Sequence, residues 1–202
     1  MPARAGRASG PESLERRSGD PKLMPMISAS QSVMPYGAAP GRACGACAMC
    51  CKVYTFPEIG KPAGVWCKYC APGKGCTIHD NVPDPCRAFF CLWMTDGTMP
   101  PEWRPDRARF VLTVHPPNGF IYGQVDPGSP GAWRKAPYYD QLRAMAKRLL
   151  DERRHLIMFV GDEATLVMPD QTLPLGKWTA KDNFRIEQVF GPARPEWRAS
   201  RF

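Results

Sequence analysis

All nine cysteines of this 202-residue chain fall between positions 44 and 91: Cys44, Cys47, Cys50, Cys51, Cys67, Cys70, Cys76, Cys86 and Cys91. Cysteines used as ordinary core residues scatter along a sequence, so this crowding needs a local cause. The same stretch carries little apolar periodicity. It is broken by Gly60, Pro62, Gly64, Pro72, Gly73, Gly75, Pro83 and Pro85, which favour turns and short helical pieces over long elements. Such a segment buries too little surface to offset its ordering entropy. A thiolate-bound metal supplies the difference, since a structural zinc site contributes on the order of 10–16 kcal/mol of folding free energy.

The alternative is a disulfide framework, and compartment decides between the two. The first thirty residues contain no apolar run of secretory-signal length, and no stretch approaches a membrane span, so a reducing cytoplasm is expected. Nine is also odd, which would leave a closed disulfide framework with a spare thiol.

Spacing narrows the chemistry. In C-x-x-C-x-x-C-C at 44–51, a C-x-x-C pair lets two thiolates reach one metal from a tight turn. Gly45 relieves crowding there, and a third thiolate follows one helical turn later. Cys67 and Cys70 repeat the C-x-x-C pair. Three thiolates at this spacing also hold three corners of a [4Fe–4S] cluster, with a distant cysteine beside a proline as the fourth, and Cys86 follows Pro85. Thiolates in fours suit zinc equally well, so zinc and an iron–sulfur cluster both stand. Nine cysteines allow two zinc sites with one thiol over, or one cluster plus other sites.

His79, near Cys76, is read as packing beside the site, and His115 and His155 as structural. Lys52, Lys68, Lys74, Arg42 and Arg87 flank the cysteines, where cations favour thiolate over thiol. Trp66, Phe89, Phe90, Trp93 and Trp103 are expected to form an apolar shell around the metal rather than a stacking platform for single-stranded nucleic acid. Asp80, Asp84 and Asp96 are read as capping and turn residues.

These motifs together, C-x-x-C-x-x-C-C at 44–51, W-C-K-Y-C at 66–70, G-K-G-C-T-I-H at 73–79 and P-x-P-C-R-A-F-F-C-L-W at 83–93, resemble the YkgJ-type cysteine-cluster proteins, described as a zinc- or iron-chelating domain. The resemblance covers residues 41–95 and implies metal binding by all nine cysteines. It implies no reaction, and it says nothing of the remainder of the chain. The departure is Val82, where an arginine usually precedes the proline.

Elsewhere the chain changes character. Residues 1–40, rich in Ala, Gly, Pro, Ser and Arg, read as a disordered tail, and 41–95 as the cysteine-cluster module. Residues 96–202 read as a small α+β region packed on the cluster as one domain or standing beside it. There the runs at 109–115, 119–125, 156–160, 164–168 and 184–190 predict strands, with turns at 116–119 and 161–163. Leu142, Met145, Ala146, Leu149 and Leu150 predict one amphipathic helix. The expected class is α+β: an irregular metal-stapled module followed by an antiparallel sheet with one packed helix.

The function expected is metal binding, in a structural, metal-handling or electron-transfer role. The alternative is a zinc-stabilised adaptor or nucleic-acid-binding module. The net charge of +8 supports the latter weakly, because eight thiolates on two zinc ions would lower it to about +4. The mixed-sign face at 143–154 also argues against a nucleic-acid partner. No phosphate loop, nucleophile elbow or H-E-x-x-H helix is present, so no catalytic residue is named. The metal ion is the one partner expected; no protein partner is identified and no membrane is involved.

Overall fold

Gly and Pro punctuation keeps every element of the cysteine-rich half short. In the computed structural model, which describes residues 37–179, 181–190 and 195–202, this half contains α1 (Cys50–Val53), β1 (Cys70–Ala71), β2 (Gly75–Cys76), α2 (Asp84–Arg87), α3 (Leu92–Thr95) and α4 (Pro105–Ala108). The short helical pieces expected among the cysteines include α1 and α2. Asp84 is the first residue of α2 rather than its cap: Pro83 holds the capping position, and no side chain caps the helix.

The second half is regular because its apolar residues alternate or recur. It contains β3 (Phe110–Val114), β4 (Ile121–Val125), α5 (Tyr138–Asp151), β5 (Leu156–Val160), β6 (Glu163–Val167), β7 (Thr172–Lys177), β8 (Phe184–Phe190) and β9 (Pro195–Arg201). The class is α+β. Strands β3 to β7 form one sheet in sequence order, and β8 pairs with β9 in a separate hairpin. One feature departs from the expected antiparallel sheet: β4 and β5 pair in parallel, with Ile121 opposite Leu156. The connection between them contains α5, and a helical crossover returns the chain to the end from which it started.

Leu142, Met145, Ala146 and Leu149 are the buried face of α5 and pack on Phe110, Leu112, Ile121, Leu156 and Met158 of the sheet. The helix ends in a Schellman motif: Arg153 takes a left-handed φ of 57°, its N–H bonds to Leu150 and that of Arg154 bonds to Leu149. Phe184, Ile186, Trp197 and Ala199 of the β8–β9 hairpin cover the opposite sheet face at Ile157, Phe159 and Leu166. Strand β5 is thus enclosed from both sides, which explains its unbroken apolar run. Met158 packs directly over Gly123, where a Cβ would stand 2.3 Å from its sulfur and oblige it to move.

The two halves meet across β3. Its alternation sends Phe110 and Leu112 toward α5 and Val111 into a cluster with Met49, Val53, Cys91 and Met94. On the same side, Tyr54 Oη and Thr113 Oγ1 are 3.2 Å apart. Asp126, fully buried just after β4, receives Lys52 Nζ at 2.6 Å and the Gly128 N–H at 2.9 Å on one oxygen, and Arg109 on the other. A buried carboxylate so paired avoids the desolvation penalty of an isolated charge. Ala39 donates its N–H to Met94 O, and Arg42 donates to the Gly97 and Met99 carbonyls. Residues 37–40 therefore belong to the folded body rather than to the expected tail, whose other residues lie outside those described. Among the described residues, no helix is long and apolar enough to cross a membrane.

Candidate metal centre

Each C-x-x-C pair forms the turn its spacing predicts. The N–H of Cys47 bonds to Cys44 O at 2.8 Å, and that of Cys70 to Cys67 O at 3.0 Å. Gly45 takes φ 50° within the first turn. Gly75, at φ 104°, lies so near that turn that a Cβ would sit 2.5 Å from Gly45 O. The first turn and the β1–β2 hairpin therefore touch backbone to backbone, bringing Cys44 within electrostatic reach of Cys76.

All nine predicted cysteines lie in this half of the molecule and none forms a disulfide. Cys44, Cys47, Cys50, Cys51, Cys67, Cys76 and Cys86 line one open cavity together. Cys44, Cys47 and Cys50 also line a small apolar cavity with Cys91, Phe89, Trp93, Met94 and Val111. Cys44 Sγ stands 3.2 Å from Met94 Sδ. Cys51 hydrogen-bonds to Cys50 and Cys70, while Cys86 feels Cys51, Cys67 and Cys76. As oriented, no three Cys, His, Asp or Glu side chains among the described residues converge to hold a single ion.

One thiol differs electrostatically from the rest. Burial pushes Cys44 and Cys47 up, and pushes Cys91 up to about 11 although the Met94 and Trp93 N–H groups oppose it. Cys50 is raised by its hydrogen bond to Cys51 and by burial; Cys70 is raised to about 12 by burial and by Cys51. Cys51 moves the other way, to about 6, because Cys50 and Cys70 hydrogen-bond to its sulfur and Lys61 lies near. Thiols raised by burial and mutual repulsion are neutral on their own, whereas a bound cation favours the thiolate. By its chemistry the donor set suits a thiophilic metal: nine free thiols, backbone N–H groups directed at Cys47 and Cys91, and cations close by.

Of the cations the sequence pointed to, Arg42 and Arg87 line the cavity with the cysteines, Arg42 4.1 Å over the Trp93 ring and Arg87 paired loosely with Asp84, while Lys52 turns away to Asp126 and Lys68 lies over Tyr69. The cation facing Cys51, Cys67 and Cys70 is Lys61, 5% exposed, which donates to the carbonyls of Lys52 and Tyr54. Arg104 faces Cys44 and Cys47. Neither carried a signal, for a lysine between glycine and proline reads as a solvated turn. Of the expected aromatic shell, Phe89, Phe90 and Trp93 pack around the cysteines, while Trp66 is exposed. Trp103 belongs to the main core, donating its indole N–H to Gln141.

His115 stacks on Tyr122 and His155 packs against Phe120, so both serve the sheet half. The side chain of His79 lies outside the described residues. No family model, no curated protein and no solved structure matches the chain.

Proposed function

We propose that this chain is a cysteine-cluster metal-binding protein of the YkgJ type, holding zinc or an iron–sulfur cluster in a structural, metal-handling or electron-transfer role in the cytoplasm. The observation that supports the reading is the gathering of nine free thiols, from several separate turns and short helices, within one half of the molecule, seven of them around a single cavity. Metal supplies the chemistry of thiolate coordination. The chain supplies sulfur, N–H donors to Cys47 and Cys91, and the positive charge of Lys61 and Arg104.

A nucleic-acid role has less support. Arg143 and Arg154 on α5 and the segment after it are engaged, the first with Pro169 O and the second with Gly119 O and Glu152. The test is anaerobic purification of the full chain, followed by metal and acid-labile sulfide analysis and a visible spectrum. Bound zinc, or iron with matching sulfide and absorption in the blue, is the expected result. A preparation with neither overturns the reading.

A further inference from the structure

We infer that the outer edge of β8 pairs, antiparallel, with the same edge of a second copy of this chain about a twofold axis at Ile186. The inference is independent of what the cysteines hold.

Backbone bonding defines the edge. Asn183 and Phe202 exchange N–H···O bonds of 3.1 and 3.0 Å, which makes them a hydrogen-bonded pair at the open end of the β8–β9 hairpin. Alternation then makes Arg185–Ser200, Glu187–Arg198 and Val189–Glu196 the bonded pairs within it. The N–H and C=O groups of Phe184, Ile186, Gln188 and Phe190 point the other way, and nothing bonds them among the described residues.

The other edges are closed off. In the five-stranded sheet Phe110, Val111 and Leu112 of β3 are buried, while β7 carries Pro174, Gly176 and an irregular register against Ala164 and Thr165. Strand β9 begins with Pro195, which has no N–H, and its Trp197 carbonyl accepts Gln171 Nε2 at 3.3 Å. Strands β1 and β2 have two residues each. Proline, irregular register, shortness and cover are the devices that keep strand edges from associating. Strand β8 has seven residues, a continuous register and neither proline nor glycine.

Its side chains select the occupant and the register. With Ile186 facing Ile186, Arg185 of each copy stands opposite Glu187 of the other, at non-hydrogen-bonded positions where side chains come closest. Phe184, Ile186 and Gln188 of one copy then exchange backbone bonds with Gln188, Ile186 and Phe184 of the second. Moving the axis one residue either way would set Arg185 against itself or Glu187 against itself, and like charges directly opposite are unfavourable. Both side chains are exposed, and within one chain they pair only loosely, at 3.8 Å. Phe190, 81% exposed in the single chain, becomes the diagonal neighbour of Phe184 of the second copy, on the same face and within reach of an aromatic ring. An edge whose charges complement themselves across a twofold axis fits its own copy.

The experiment is sedimentation velocity on the full chain in reductant, at concentrations from about 1 to 200 μM, over which such an association follows mass action. The wild type should pass from monomer to dimer. Arg185→Glu and Glu187→Arg should each raise the dimer dissociation constant at least roughly tenfold, because like charges then face each other across the axis. An equimolar mixture of these two variants should dimerise again, since one chain then offers two cations to two anions of the other. The double variant Arg185→Glu/Glu187→Arg should dimerise by itself. Recovery of this kind also shows that each variant is folded. Where one is not, hydrogen exchange on the wild type decides: the amides of Phe184, Ile186 and Gln188 should slow at high concentration, while those of Arg185 and Glu187, already bonded within the hairpin, should not. A wild type that stays monomeric, single variants that dimerise as it does, a mixture no tighter than its parts, or a dimer whose Ile186 amide exchanges as in the monomer overturns the assignment.

Discussion

The two halves of the molecule reach order by different means. From β3 onward, strands of five to seven residues and a fourteen-residue helix enclose a core containing Leu142, Leu149, Leu156 and Met158. Before β3, among the described residues, no helix or strand exceeds four residues, and the cluster buried around the cysteines is small: Met49, Val53, Cys91 and Met94, with Val111 of β3. A fully buried leucine side chain contributes about 1.5–3 kcal/mol, while one thiolate-bound zinc contributes about 10–16 kcal/mol. Buried area can hold the first kind of structure. The second kind, on the reading proposed above, is held by thiolates bound to a metal.

Substitutions confined to one half sharpen that contrast. Leu149→Ala empties part of the α5–sheet core and should cost about 4 kcal/mol of global stability in urea unfolding, without changing the metal bound by the folded protein. Loss of metal under native conditions would show that the cysteine half leans on the sheet core. Asp126→Ala acts at the junction. It leaves Lys52 and Arg109 without their shared carboxylate and should cost about 3 kcal/mol by the same measurement. Gly75→Ala should cost about 2 kcal/mol, because it places a Cβ 2.5 Å from Gly45 O at a φ of 104°. Its effect should appear as weakened metal retention, with the thermal transition of the sheet unmoved.

A smaller effect comes from acid. Burial alone would raise the Asp126 carboxyl, but the Lys52 hydrogen bond, the Gly128 N–H and Arg109 outweigh it and hold it below the usual carboxylate range. The folded value is thus below the unfolded one. The junction's contribution is complete above about pH 4 and fades as pH falls through the lower, folded value. An Asp126→Asn variant should lack this component of the acid-unfolding curve, and an unchanged curve would remove Asp126 from the junction.

Much of the sheet half was legible because its signals are periodic. The runs at 156–160 and 184–190 coincide with β5 and β8, and the leucine–methionine pattern marks the buried face of α5. Strand β7 escaped because Pro174 and Gly176 lie within it, and both are strand breakers except at a sheet edge, which is where β7 runs. The parallel pairing of β4 with β5 depends on where the α5 crossover lands, which no local pattern records. In the cysteine half the ligand candidates were legible and their grouping was not. Which thiols adjoin Cys91 or Cys51 is decided by the Gly45–Gly75 contact and by the packing of Val111 against Met49, both long-range. Lys61 and Arg104 were hidden for the same reason.

Hydrogen exchange of the full chain, compared before and after metal removal by a chelator in the presence of reductant, tests most directly the claim that sulfur-bound metal holds the cysteine half together. Amides in 44–91 should lose protection while those of β4, β5 and α5 keep theirs. Undiminished protection across 44–91 in a demonstrably metal-free sample would contradict it.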